Sequence, residues 1–467
     1  MKLGIGERLI KAGVVDEAQI ERALARQRAR GGRLGENLIE LGFISEETLA
    51  QFIYRVPFSP TSLKDVGLPQ VVLVDLLLKI MFYHSAFSVR EIADSMKIPP
   101  SLINDLMDCL RRERYVEVKG AEGYRITSLN YTLTELGRRR ANELLEQNNY
   151  AGPAPVTLEQ YSEMVQYQTI HNTVMDEQTI KAGFTDLVLK SDLFDQLGPA
   201  INSGRSIFIY GPPGTGKTSI GKNIANLFKD QVFVPYSIYA HGQIIQVLDV
   251  VSHEPSPKNI GSVDGRWVLC KRPAVTAGGE LTLNMVDLNF NPVSRFYEAP
   301  LQLKANNGVF IIDDFGRQRV SPINLLNRWI VPLDTGQEHL NLHTGQKITV
   351  PFDMLIIFCT NIEPRDLVDE AFLRRIRHKI ILGYISRQEY IEILKMNCAE
   401  NFITYDQQAA DYLVEEYYLK RNNPMVAVHA RDIIEHILDY ARYRRTEPVL
   451  SKETIDIACK TYFVEDV

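Results

Sequence analysis

The chain has 467 residues, a formal net charge of −6, 45% apolar and 24% charged residues. That length is too great for one hydrophobic core and predicts about three domains, while the slightly acidic balance gives no support to a general polyanion-binding role. Five scattered cysteines, Cys109, Cys270, Cys359, Cys398 and Cys459, lack CxxC spacing, which argues against a disulfide framework or a zinc site and fits a reducing compartment. The most apolar run, residues 71–82, is interrupted by Asp75 and Lys79 and is too short to span a bilayer, and no signal-peptide pattern opens the chain, so the expectation is a cytoplasmic protein without membrane insertion.

The N-terminus repeats itself: IGERLIKAGVVDEAQIERAL (5–24) returns as LGENLIELGFISEETLAQFI (34–53), an offset of 29 residues. Each copy reads as a short helix, a glycine turn at Gly13 or Gly42, and a second helix. Ile5, Gly6, Leu9, Gly13, Ile20, Leu24 and Gln27 in the first copy, and Arg33, Leu34, Gly35, Leu38, Gly42, Leu49 and Ile53 in the second, give this region a pattern that resembles the N-terminal domain of type II secretion and type IV pilus assembly ATPases. The resemblance implies a small all-α domain over 1–56 and, as in part of that family, cyclic di-GMP as a ligand. Arg26, Arg28, Arg30 and Arg33 gather near the spacer between the copies. Gly4 and Val56 stand where the pattern has arginine and glutamine, which ranks a protein-contact role for this face ahead of cyclic di-GMP.

After a Pro- and Ser-containing linker (55–70), the chain predicts helices at 71–83, 88–97 and 101–114, then strand, turn and strand over 115–127, and a helix over 131–146. That order, over 71–146, is a winged helix, and its last helix resembles the segment after the wing in bacterial winged-helix regulators. Residues 71–150 hold eleven basic and eleven acidic residues, and Asp105 and Asp108 lie on the third helix. A neutral domain forgoes most phosphate-driven affinity, so docking to protein is preferred to DNA binding. The Arg138–Arg140 run is read as a solvated helix face.

A second linker (148–161) precedes SIFIY (206–210), GPPGTGKT (211–218) and SIGKNIANLF (219–228), that is, strand, glycine loop and helix. Gly211, Pro212, Pro213, Gly214, Thr215, Gly216, Lys217 and Thr218 form a complete phosphate-binding loop: backbone N–H groups and the helix N-terminus face an anion, Lys217 reaches the β- and γ-phosphates, and Thr218 ligates Mg²⁺. Further on, GVFIIDDF (308–315) is a buried strand ending in two carboxylates; Asp313 would hold the Mg²⁺ shell and Asp314 would orient the attacking water. MLIIFCTN (354–361) ends in Asn361 at the same sheet edge. DEAFLRRIRHKI (369–380) and VHARDIIEHIL (428–438) follow.

This ordered set resembles the AAA+ ATPases over roughly residues 180–467, with Walker A, Walker B, sensor 1, arginine finger and sensor 2 in turn. The resemblance implies ATP and Mg²⁺ as ligands, an α/β core over 166–383, a helical lid over 384–467, Asn361 as sensor 1, Arg374 and Arg375 presented to a neighbouring subunit's ATP, and Arg431 as sensor 2. Arg317 and Arg319 are further candidate cations. A hairpin around HTGQ within 338–353 resembles the pre-sensor 1 branch that includes the MoxR-type ATPases. The Gly-rich stretch 262–292 is expected between the second core strand and Walker B, as a mobile substrate-contacting segment, and His429 as a packing or capping residue. Asp314 stands where most of the family has glutamate, which favours a slow switch over a fast motor. The combined expectation is a multidomain chain, all-α domain, winged helix and P-loop AAA+ core with helical lid, that forms a homo-oligomeric ring, taken as a hexamer, and acts on a protein client; the alternative is a DNA-binding ATP switch.

Overall fold

The computed structural model describes residues 6, 9–10, 14–30, 34–45, 56–121, 129–257, 263–367 and 370–463. Near the N-terminus, α1 (Glu17–Arg30) and α2 (Leu34–Glu40) close over Leu9, Val15, Ile20, Ala23, Leu38 and Ile44, a small core drawn from both repeat copies. Gly42 takes φ +71°, a left-handed turn that glycine adopts without a Cβ penalty, and Phe43 N–H returns to Leu38 C=O. Arg26 forms an ion pair with Glu40, so this arginine is engaged by a carboxylate of the other copy. Gly4, Ile5, Gly13, Arg33, Leu49 and Ile53 lie outside the described residues. Val56 is 3% exposed and packs in the core of a β-rich insertion further along the chain; the chain has already left the helical repeat there, which explains an apolar residue in place of glutamine.

The middle region runs α3 (Gln70–Phe82), β1 (Phe87–Ser88), α4 (Val89–Met96), α5 (Pro100–Arg112), β2 (Val116–Ala121), β3 (Leu129–Leu133) and α6 (Glu135–Gln147), with sheet order β1-β3-β2. Ser88 and Glu91 form a reciprocal capping box at α4. The second strand expected within 115–127 lies outside the described residues, and β3, described from Leu129, takes up the first residues of the expected helix. Tyr131 and Leu133 alternate inward from β3, and the Thr134 side chain then caps α6 at Gly137 N–H. Period-2 alternation thus wins up to the cap. On α6, Arg139 pairs with Glu135 and Arg140 with Glu143.

Beyond β4 (Val156–Thr157), α7 (Leu158–Tyr167) and α8 (Ser191–Asn202) come β5 (Ile207–Tyr210) and α9 (Lys217–Leu227), then β6 (Gln231–Pro235), β7 (Ser237–Ala240), β8 (Gln243–Gln246), β9 (Trp267–Lys271), β10 (Ala274–Ala277), β11 (Asn289–Phe290), β12 (Tyr297–Glu298) and β13 (Val309–Ile312). Helix α10 (Pro322–Thr335), the hairpin β14 (Gln337–Asn341) and β15 (Lys347–Pro351), β16 (Leu355–Thr360) and β17 (His378–Ile381) complete this part. Five parallel strands in the order β10-β13-β16-β5-β17 form the central sheet, buried on both faces by two apolar clusters, as parallel sheets require. The second core strand is therefore Ala274–Ala277, inside the stretch expected to follow it. That stretch also contains β9, which pairs antiparallel with β6 and buries Trp267 and Cys270, so β9 and β10 are strands of two sheets rather than parts of a mobile segment.

A second sheet, β11-β12-β8-β7-β4, packs with the β6–β9 and β14–β15 ribbons and α7 around one core. The hairpin turns its alternate residues Leu340, Leu342, Ile348 and Val350 into that core, and His343 at its tip stacks on Phe290 with ring centroids 4.2 Å apart. The stretch 148–161, expected as a linker, supplies β4 and the start of α7 and buries Tyr150, Ala154, Val156 and Tyr161. The other expected linker is engaged too: Pro57 C=O accepts from Asp264 N–H at 2.8 Å.

One ion pair fastens these pieces. Arg266 and Asp264 have side chains only 2% and 4% exposed; the guanidinium donates Nε and Nη2 to the carboxylate at 3.0 and 2.7 Å and Nη1 to Val66 C=O at 2.8 Å and Pro155 C=O at 3.3 Å. One side chain thus ties three segments distant in sequence. Nearby, Ala154 N–H reaches Met96 C=O at 2.8 Å, and a Cβ at Gly265 would lie 2.9 Å from Lys97 C=O, so the α4–α5 turn sits directly on the insertion. Removing the acid leaves a buried, unpaired guanidinium, so Asp264→Ala is expected to cost about 3 to 5 kcal/mol, measured by chemical denaturation, with hydrogen exchange rising first at 57–66 and 264–267.

Candidate nucleotide-binding site

The loop 211–218 joins β5 to α9 through three residues that only glycine accommodates easily. Gly211, Gly214 and Gly216 have φ of +144°, +78° and +88°; a Cβ on Gly211 would stand 2.0 Å from Leu382 C=O, and one on Gly214 2.5 Å from Val428 Cγ1. Val428 N–H also donates to Gly214 C=O at 3.1 Å. Val428 lies in the first turn of the helix Ala427–Arg444, and the loop is thereby in direct contact with the C-terminal helical layer. That layer comprises α11 (Arg387–Glu400), α12 (Gln407–Leu413), a π-helical turn Val414–Leu419, α13 (Ala427–Arg444) and α14 (Lys452–Tyr462) around its own core. His429 packs there against Tyr418, Tyr462 and Phe463.

Lys217 is 7% exposed, and its Nζ donates to Gly211 C=O at 3.0 Å and Pro212 C=O at 2.7 Å. Burial lowers its pKa, opposed by Cys359, Asp314 and Asp313. Burial also pushes the Cys359 thiol up to about 12, so that group stays neutral and the two aspartates are the negative charges facing the lysine. A polyphosphate would offer this ammonium anionic oxygens in place of neutral carbonyls, a stronger class of hydrogen bond.

Strand register brings the carboxylates to the loop. Ile312 pairs with Phe358, and Thr360 with Tyr210, so the residues following β13, β16 and β5 emerge at one sheet edge. Thr218 Oγ1 donates to Asp313 Oδ1 and Oδ2 at 2.8 and 2.9 Å. A hydroxyl and a carboxylate side by side are hard oxygen donors of the kind Mg²⁺ takes together with water and phosphate oxygens, so the residues fit that ion. Asp314 stands at φ +49° with its N–H on Asp313 Oδ1 at 3.1 Å, and Asn361 Nδ2 approaches its Oδ1 at 3.5 Å.

These groups line one cleft of about 770 Å³ between sheet edge and helical layer, together with Pro213 to Thr218, Asn361 and Arg431. Arg431 enters from α13, 60% exposed, with Asp432 at 3.3 Å and Glu435 at 3.6 Å. Arg374 and Arg375 do not line the cleft. Arg374 is 76% exposed beside Glu370 at 3.4 Å, and Arg375 pairs with Asp334 of α10 at 2.9 Å. The cleft's apolar end was missed in the sequence: Val188, Leu189 and Leu193 before β5, and Ile393 and Met396 on α11. No motif marks them, because a flat base is held by shape and apolar contact from residues that converge only on folding.

Cleft, loop and strand order are similar to those of AAA+ ATPases. A family described as a domain of unknown function (DUF8689) matches residues 386–461, the helical layer. The 26S proteasome regulatory subunit 6B homolog of Saccharomyces cerevisiae is 37% identical over 65 residues, 14% of this chain and 15% of that protein. The proteasome-activating nucleotidase of Methanocella arvoryzae is 26% identical over 148 residues, 29% and 35%, and the mitochondrial Lon protease homolog of Zea mays 31% over 86, 18% and 8%. The chain thus spans at most about a third of these curated relatives. Among solved structures, a RuvB mutant of Thermotoga maritima overlaps with a TM-score of 0.37 at 13% identity, covering 60% of this chain and 71% of that one, and NtrX from Brucella abortus in complex with ADP with 0.37 at 14%, covering 59% and 56%. At such scores the strand order itself carries the fold. No helix among the described residues is long and apolar enough to cross a membrane.

Lys217→Ala removes the ammonium from the loop while leaving the strand and helix that form it. The expected result is loss of ATP binding by at least about 100-fold, in line with two charge-assisted hydrogen bonds of roughly 1.5 to 3 kcal/mol each, with an unchanged circular dichroism spectrum; titration calorimetry with ATP measures it.

Proposed function

We propose that the chain is an ATP hydrolase of the AAA+ type whose cycle remodels or regulates a protein partner. The observation that carries this is the convergence of Lys217, Thr218, Asp313, Asp314, Asn361 and Arg431 on one cleft closed by the layer that bears Arg431. In this reading Lys217 and the loop N–H groups hold the β- and γ-phosphates, and Thr218 and Asp313 hold Mg²⁺. When bound, that ion supplies positive charge to the phosphate oxygens. Asp314 accepts a hydrogen bond from the attacking water and aligns it, with Asn361 beside it. Arg431 reads the nucleotide from the lid, and because Val428 N–H bonds to Gly214 C=O, changes at the phosphates are passed to α13 without an intermediary.

Arg374 and Arg375 lie outside their own cleft, where a neighbouring subunit could receive them, and this supports a ring, taken as a hexamer. Residues 71–146 are read as a winged helix that docks protein. Asp105 and Asp108 stand exposed on α5, the α4–α5 turn is covered by the insertion, and a DNA switch would need that turn free at the duplex. The β14–β15 hairpin supports the pre-sensor 1 branch, MoxR-type proteins included. The pilus, secretion or cyclic di-GMP setting rests on the N-terminal repeat alone, and the Arg26–Glu40 pair favours a protein contact there.

Asp314→Asn should bind ATP and stall. Arg375→Ala should cut turnover by about 10³-fold or more, as arginine fingers contribute, and mixing the two inactive variants should restore part of the activity, because some mixed interfaces are intact. ATPase assays of the mixture check this; no recovery at any ratio contradicts the shared site.

A further inference from the structure

The turn that carries Asp314 is closed by a side chain with no place in the motifs. Gln318 uses both ends of its amide: Nε2 donates to Asp313 C=O at 2.7 Å, and Oε1 accepts from Gly316 N–H at 2.7 Å. These two peptide groups flank Asp314 and Phe315. On the other side, Phe315 N–H donates to Cys359 C=O at 2.7 Å, and the Thr360 hydroxyl to Phe315 C=O at 2.6 Å. Asp314 itself holds φ +49°, and Gly316 φ +104°. A non-glycine residue in the left-handed region persists only where its surroundings fix it. Here β16 fixes it from the sheet and Gln318 from the solvent side.

We infer that Gln318 is a positioning residue for the proposed hydrolysis: its two hydrogen bonds hold the Asp313–Gly316 turn so that the Asp314 carboxylate faces the cleft. It does not itself line the cleft, and its effect on hydrolysis is exerted through the turn that carries Asp314. An aspartate is one methylene shorter than glutamate and has less reach to correct a displaced backbone, which makes the turn's geometry the determinant of where the carboxylate stands. The inference rests on the reading of Asp314 as the water-orienting group.

The test uses the full chain and Gln318→Met, which keeps the length of the side chain and removes both hydrogen bonds. Steady-state ATPase kinetics should show kcat lower by about tenfold or more, the scale on which small misplacements act, with KM for ATP within about twofold and an unchanged thermal midpoint. In an Asp314→Asn background the same substitution should have no further effect on residual turnover, because its target is gone. An unchanged kcat, a further loss in the Asp314→Asn background, or a parallel loss of ATP affinity and thermal stability would each overturn the positioning role. If the wild type itself fails to hydrolyse ATP, the proposed function falls and this inference with it; wild-type turnover with a silent Gln318→Met removes the inference alone.

Discussion

The parallel pairing of β13 with β16 and of β16 with β5 sets the level at which three loops leave the sheet, and the chemistry of the cleft depends on that level. Thr360 lies opposite Tyr210 and Ile312 opposite Phe358, so β16 runs two residues past its pairing with β13. The Asp313–Phe315 turn fills that step and bonds back to Cys359 and Thr360. One residue of slip in either ladder would put Asp314 on the wrong face and separate Thr218 from Asp313. The hydrogen bonds between backbone groups in this sheet thus place side chains that never touch one another in sequence.

Around that sheet the chain adds an insertion with a core of its own. The second sheet, the β6–β9 ribbon and the β14–β15 hairpin share one core, and Arg266 binds it to Val66 and Pro155. The middle unit is thereby seated on the insertion, while the helical layer meets the phosphate loop at Gly214 and Val428. On one side of the cleft's sheet lie the buried Arg266 contacts; on the other, Val428 N–H donates to Gly214 C=O and Lys190 pairs with Glu389 of α11 at 3.8 Å.

The phosphate loop, the paired aspartates and Asn361 were legible in the sequence because each is set by local order: a strand, then a polar residue at its end. The β14–β15 hairpin was legible by its alternation about a turn. What failed was long-range pairing. The second core strand was expected before residue 262 and lies at Ala274–Ala277; β6, β7 and β8 are four- or five-residue strands of similar apolar pattern, and only the partner decides. Residues 55–70 and 148–161 have a linker's composition, yet Pro57 meets Asp264 and Tyr150 bonds to Ser237, contacts that no window of sequence contains. The apolar end of the cleft was invisible for the same reason.

The central claim is that the cleft hydrolyses ATP and is completed by an arginine from another copy. Its most direct measurement is the ATP hydrolysis rate per subunit over a wide range of protein concentrations, followed alongside mass by analytical ultracentrifugation in ATP. The account predicts a rate per subunit that climbs with concentration and levels off as the oligomer forms. A rate per subunit that stays constant from monomer to saturation, or no hydrolysis at any concentration, would contradict it.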